Sequence, residues 1–378
     1  MIEGPRAVRE QEFDSLIQLV NRVFRSQGGN MQTEYPQLFN AENLGNLLVM
    51  VDDGRVISHI GLLFRDVTIY GCRLTVGCIG AVATDEEYRG RGLASKLLFD
   101  AFARIEEAGG SLILISGGRG LYRRNACVPV LRSMYFEISR SFADKNADSE
   151  LTLKSFDSSE IATVSALYRR EPVRFLRPVE DYRYFLDSGI VMSHPSDLWL
   201  IKRGSRVVAY AVVQKGGTAS TAPQIVEYAG DRRAIVQSLA MLIDHSGGTD
   251  SLNLFVPVAD EPFCWQLQDL DLTGVKQEGW TVRIQNFEQF LQSMRPYFAE
   301  ILGTSLAQSV TVEDSDSDIT FFVGKKQLTL SRDDATALVF GTADNRERQI
   351  LEEHKGTIAE TLGELFPIPA PWYGLNYV

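Results

Sequence analysis

The chain has 378 residues, 44% of them apolar and 23% charged, with a formal net charge of −11. That length exceeds one ordinary core and suggests two or three domains, and the composition is that of a globular protein rather than a fibrous or disordered one. The acidic balance argues against a general nucleic-acid binder, whose affinity comes largely from basic side chains on phosphate.

No apolar run approaches the ~20 residues that cross a bilayer. The start MIEGPRAVREQEF carries neither an apolar signal core nor a basic leader. The expectations are therefore a cytoplasmic protein with no membrane and no nucleic-acid partner. Cys72, Cys78, Cys127 and Cys264 form no Cys-x-x-Cys pair, so they read as reduced and buried. His59, His194, His245 and His354 are not spaced as metal ligands, and no metal is expected.

Taken in chain order, Gln11 to Arg25 has Phe13, Leu16, Ile17, Val20 and Phe24 at helical spacing and predicts the first helix. Leu47 to Val51 and Val56 to Phe64 are two strands joined by Asp53-Gly54, a hairpin turn signal, with further strand structure from Val67 to Gly77. Ile79 to Thr84 is an apolar strand. The polar turn Asp85 to Tyr88 and the loop Arg89-Gly90-Arg91-Gly92 lead from it into a helix that buries Leu93, Leu97, Leu98, Phe102 and Ile105, and Gly109-Gly110 stops that helix. Leu112 to Ser116 is a short strand, and Gly117 to Gly120 opens the next helix near Leu121.

The first turn of the helix at Leu93 has amides without intrahelical partners and the positive end of the helix dipole, which together suit a phosphate. Its spacing fits neither a Walker loop nor a dinucleotide fingerprint. The remaining pattern is Arg89-x-x-Gly92-x-Ala94 after Val82-Ala83-Thr84, with Arg89, Arg91, Arg119, Arg123 and Arg124 forming a basic cluster in an acidic chain. A basic patch local to one site suggests a small polyanionic cofactor.

This stretch resembles the acetyl-CoA loop of the GNAT superfamily of N-acetyltransferases. The resemblance implies that acetyl-CoA is held as co-substrate by Val82, Ala83, Thr84, Arg89, Gly90, Arg91, Gly92, Leu93 and Ala94. It also implies that Tyr122 donates a proton to the departing thiolate; the alternative is a tyrosine packed at a helix start.

From Leu151 the pattern begins again. Glu160 to Arg170 suits a helix, Leu198 to Ala209 repeats the hairpin of Leu48 to Ile57, and Ile225 to Ala229 followed by Asp231 to Ile243 repeats strand then helix. Only Gly230-Asp231-Arg232-Arg233 separates strand from helix there, so the second copy reads as degenerate and should not hold CoA. In the last ~100 residues, enough for one small domain, Trp280 to Ile284 is strand-like, Phe287 to Ala299 helical, Ile319 to Val323 and Gln327 to Ser331 a hairpin, and Asp333 to Phe340 a helix. This tail resembles the sterol-carrier-protein-like domain that closes the enhanced intracellular survival (Eis) family of acetyltransferases.

The reading is thus a mixed α/β (α+β) chain of tandem GNAT folds with a C-terminal sterol-carrier-like domain, divided at 1–145, 146–274 and 275–378. The unusually apolar end, Trp372-Tyr373-Gly-Leu375-Asn-Tyr377-Val378, reads as docked, and the Eis resemblance gives the carboxylate of Val378 a part in deprotonating the amine. The implied acceptor is a cationic amine: aminoglycoside-like, a polyamine or a lysine. A homo-oligomer, a non-catalytic acyl-CoA-binding or regulatory module and an apolar-ligand carrier stay open at this stage.

Overall fold

A computed structural model describes the chain except residues 217–221, 248–249, 316 and 357. It resolves into two compact units, one made of 1–131, 278–370 and Val378, the other of 132–277 and 371–377.

The first unit is built on β1 (Glu3–Ala7), β2 (Leu47–Asp52), β3 (Arg55–Ile69), β4 (Cys72–Thr84) and β5 (Leu112–Ile115). The first four are antiparallel neighbours and β5 runs parallel to β4. β2 joins β3 through Asp53-Gly54, both at positive φ (46° and 77°), the backbone that a two-residue hairpin turn needs to match strand twist. Val67 to Gly77, expected to add further strand structure, is the end of β3 and the start of β4. Tyr70 and Gly71 turn the chain at φ 49° and 80°. A tyrosine in the left-handed region is not a usual turn signal, so only half of that turn was visible in the sequence.

Helix α1 (Phe13–Phe24) buries Leu16, Ile17, Leu19 and Val20, and the single turn α2 (Met31–Glu34), which periodicity did not indicate, is capped by the Asn30 side chain on the Gln32 amide. Helix α3 (Leu93–Glu107) buries Leu93, Leu97, Leu98, Ala101, Phe102 and Ile105, the apolar face expected from its spacing. The helix expected near Leu121 is one turn only, α4 (Gly120–Arg123).

The later part of this unit adds Thr281–Ile284 antiparallel to β5 and a separate three-stranded antiparallel sheet of Val310–Asp314, Asp318–Val323 and Lys326–Ser331. The helix expected over Phe287–Ala299 breaks into Phe287–Ser293 and Arg295–Leu302. The break falls where Pro296, which has no amide hydrogen to continue the ladder, opens the second piece.

In the second unit β6 (Val128–Ser139), α5 (Arg140–Lys145), β7 (Leu151–Ser155) and α6 (Ile161–Tyr168) come first. They are followed by β8 (Val173–Phe175), α7 (Val179–Ser188), β9 (Ile190–Val191), β10 (His194–Arg203), β11 (Arg206–Gln214), β12 (Gln224–Gly230), α8 (Arg232–His245) and β13 (Ser251–Pro257). β7, β10, β11 and β12 are successive antiparallel neighbours, β12 and β13 are parallel, and Ser133–Ser139 of β6 closes on β13. One sheet face packs on α8 through Ala234, Ile235, Leu239 and Leu242; the other packs on α6 and α7 through Val164, Tyr168, Tyr182 and Phe185. Helix, hairpin, strand, helix, parallel strand is the order of α1, β2, β3, β4, α3 and β5, so the tandem arrangement read from the hairpin repeat is present.

Candidate active site

The loop between β4 and α3 is tied down at both ends. Asp85, 4% exposed, accepts from the Arg22 guanidinium at 2.8 Å and also pairs with Arg55, while its other oxygen takes the Glu87 amide at 3.2 Å. Tyr88 donates its hydroxyl to Asp52 at 2.9 Å, and that hydrogen bond pushes the Tyr88 phenol upward. The Arg91 guanidinium lies 4.7 Å over the Tyr88 ring and donates to the Glu87 carbonyl at 3.0 Å. Arg89 is held loosely by the Thr84 carbonyl and Glu86.

Between these anchors the backbone stays open. Gly90 and Gly92 have φ of 78° and 73°, with nothing within 4 Å of where a Cβ would sit. Gly92 is the left-handed N-cap of α3; no side chain caps this turn, and no acid lies in it. The first-turn amides therefore face a cleft of 650 Å³ lined by Val82, Thr84, Arg89, Gly90, Gly92 and Ala94 among others. An anion fits here on two counts, uncapped amides and the dipole.

Of the proposed cofactor residues the cleft gathers Val82, Thr84, Arg89, Gly90, Gly92, Leu93 and Ala94. Ala83 is buried and pairs with His59 across the sheet, and Arg91 packs on Tyr88 instead of lining the cleft. Burial pushes the His59 imidazole down to about 3, so it is neutral at ordinary pH.

Just before the loop the sheet comes apart. β4 bulges between Gly80 and Ala83, where its register against β3 shifts, and Ala81 takes φ 51°. Beyond Ile79 the ladder to β5 ends with the Ser116 amide on the Ile79 carbonyl at 3.1 Å. A bulge re-aims a strand and ends its pairing, which here opens a gap beside Val82.

Tyr122, 3% exposed, lies with its ring against Gly117, just past β5: a Cβ on Gly117 would sit 3.3 Å from its Cε2. Val378, 4% exposed, lies against Gly80: a Cβ there would collide with the Val378 carbonyl carbon and oxygen, and would be 3.5 Å from the Ser116 Oγ. Tyr122 thus neighbours Gly117, and Val378 neighbours Gly80 close to Ser116.

Gly80, Ala81, Ser116 and Asp85 were not singled out in the sequence. Gly80-Ala81 inside an otherwise apolar strand was the available signal, since a glycine in a strand often marks a bulge or a close backbone approach. All four cysteines are buried, and none is in a disulfide among the described residues.

A bulged strand parting from its parallel neighbour thus leads through an uncapped turn into an amphipathic helix beside an open cleft. Residues 5–126 match the family described as an acetyltransferase (GNAT) domain. The chain is 32% identical over 78 residues to the uncharacterized N-acetyltransferase YhbS of Escherichia coli strain K12, a match that covers 21% of this chain and 46% of that protein. It thus spans about half the length of the curated relatives it matches.

Among solved structures, a GCN5-related N-acetyltransferase from Anabaena variabilis superposes with a TM-score of 0.69 at 16% identity, covering 98% of this chain and 99% of the other. A probable N-acyltransferase from Enterococcus faecalis gives 0.71 at 15%, covering 98% of each. Eis1 from Mycobacterium abscessus gives 0.59 at 14%, covering 88% of this chain and 85% of that one. At these identities the likeness is one of fold.

Proposed function

We propose that the chain is an acetyl-CoA-dependent N-acetyltransferase that passes the acetyl group directly to an amine of a cationic acceptor, an aminoglycoside-like compound, a polyamine or a lysine side chain. The observation that carries this reading is the uncapped, acid-free first turn behind Gly92, opening on a cleft beside a parted sheet. The amides would hold the pyrophosphate, and the gap beside Val82 would take the pantetheine arm. The acceptor nitrogen attacks the thioester carbonyl, a C–N bond forms and the C–S bond breaks. The Tyr122 hydroxyl gives its proton to the thiolate, and the proton from nitrogen passes to the α-carboxylate of Val378, directly or through water. Direct attack is favoured over an acyl-enzyme on cysteine because burial pushes the nearby Cys127 thiol up to about 12.

The net charge of −11 favours a cationic acceptor. In the same reading the protein is cytoplasmic, Eis-like and divided at 1–145, 146–274 and 275–378, and the helices and three-stranded sheet of 275–378 form a sterol-carrier-like domain.

The test is a screen of amines followed by CoA release, with Tyr122→Phe beside wild type. That variant removes only the hydroxyl, so kcat should fall by roughly 10²-fold or more, the general-acid range, with CoA affinity retained. A chain that binds acetyl-CoA yet acetylates no amine would overturn the reading, and near-normal kcat in Tyr122→Phe would return the tyrosine to packing. One residue added after Val378 moves its charge by up to ~3.5 Å and should lower kcat strongly at unchanged cofactor affinity. Equal activity with and without the addition would remove Val378 from the chemistry.

A further inference from the structure

The basic cluster seen in the sequence divides once it is folded. Arg89 and Arg91 are occupied within their own loop, by Glu86 and the Thr84 carbonyl and by the Tyr88 ring. Arg119 and Arg124 approach the same cleft from the segment after β5 and help to line it. Both are exposed, and among the described residues neither is in an ion pair.

Other arginines of the first unit, Arg6, Arg22, Arg25, Arg55, Arg73 and Arg104 among them, have carboxylate partners. No carboxylate lines the cleft. Arg119 is also aimed: its Nη1 donates to the Val82 carbonyl at 3.3 Å, which leaves the other guanidinium nitrogen to reach a ligand. Arg124 folds back over Gly120, its Nη1 3.2 Å from where a Cβ would stand, so a side chain at 120 would crowd it out of that position.

Two guanidinium groups without a carboxylate partner among the described residues, lining an acid-free cleft, suit an anion other than the one the amides of α3 already suit. Resting on the acetyl-CoA reading above, we infer that Arg119 and Arg124 bind the 3′-phosphate of CoA and make the site selective for 3′-phosphorylated CoA over its dephospho form. The pyrophosphate is met by backbone amides and the helix dipole, and the ribose phosphate is the one remaining anion on the ligand. Planar guanidinium pairs with such a group through parallel N–H···O bonds, and a lysine does so less well.

The experiment is calorimetric titration of the full chain with CoA and with dephospho-CoA, in wild type and in Arg119→Gln/Arg124→Gln. Wild type should bind CoA roughly tenfold or more tightly than dephospho-CoA, about 1.4 kcal/mol, and the double variant should bind both as wild type binds dephospho-CoA. The wild-type comparison needs no substitution, so it decides even if the variant misfolds. Equal wild-type affinities overturn the inference and leave the cofactor reading standing, as does a variant that weakens both ligands by the same factor. Binding of neither ligand overturns both. Arg119→Lys/Arg124→Lys should restore part of the discrimination if charge is what is read.

Discussion

The two strand-to-helix junctions, Thr84 to Leu93 and Gly230 to Arg232, share the order strand then helix and differ in length and in the residue that caps the helix. In the first, eight residues separate strand from helix, and the cap is Gly92 with no side chain on the turn. In the second, Asp231 alone separates β12 from α8, and its carboxylate accepts from the Ala234 amide at 3.2 Å. An aspartate cap satisfies one of the amides an anion would need and sets a negative charge in its place.

The second junction also has a cleft, of 1060 Å³, larger than the first. Its Arg232, however, is taken by Glu171 and by Asp260 at 2.7 Å. Glu171, Asp231 and Asp260 line this cleft, whereas among the described residues no carboxylate lines the first.

The second unit has put its charge into structure. Arg177, with a side chain 1% exposed, donates to both oxygens of Glu227 at 2.9 and 2.8 Å, and the same carboxylate accepts from the Tyr210 hydroxyl at 2.7 Å and the Leu375 amide at 2.9 Å. Asn376 links Arg177, at 2.9 Å, to Asp181, at 2.8 Å, and Trp372 stacks on Phe255, so residues 371–377 are part of this unit's core.

The contrast can be broken most severely at Glu227. Glu227→Ala leaves the buried Arg177 without its counter-ion and should cost about 3–5 kcal/mol of stability, read by denaturant unfolding. A loss below about 1 kcal/mol would mean that water or Asp181 replaces the carboxylate. Next in size, Gly92→Asp puts the second junction's acid into the first. It also strains a residue at φ 73°, and it should weaken acetyl-CoA at least tenfold, about 1.4 kcal/mol. Unchanged affinity, or two sites per chain by calorimetry, would erase the distinction drawn here. The smallest effect is expected of Asp231→Ala. Loss of that cap should cost about 1 kcal/mol in unfolding and leave the acetyl-CoA dissociation constant alone, whereas a change in cofactor affinity would tie the second junction to the site.

Much of this was legible locally. Apolar residues four and eight apart from Leu93 to Ile105 dictate a helix with one buried face, and Asp53-Gly54 dictates a tight turn, because both depend on residues close in sequence. That Asp231 rather than a glycine precedes the second helix was equally visible, and the structure shows its carboxylate capping the Ala234 amide. What only the tertiary structure decided is long-range. That Ala81 bulges, that Gly80 lies against Val378, that Ser116 marks the last rung of the ladder and that Arg119 and Arg124 have no ion pair among the described residues all depend on which strand lies beside which. A carboxylate's partner, unlike a helix period, is chosen by distance in space, and the sequence carries no record of that distance.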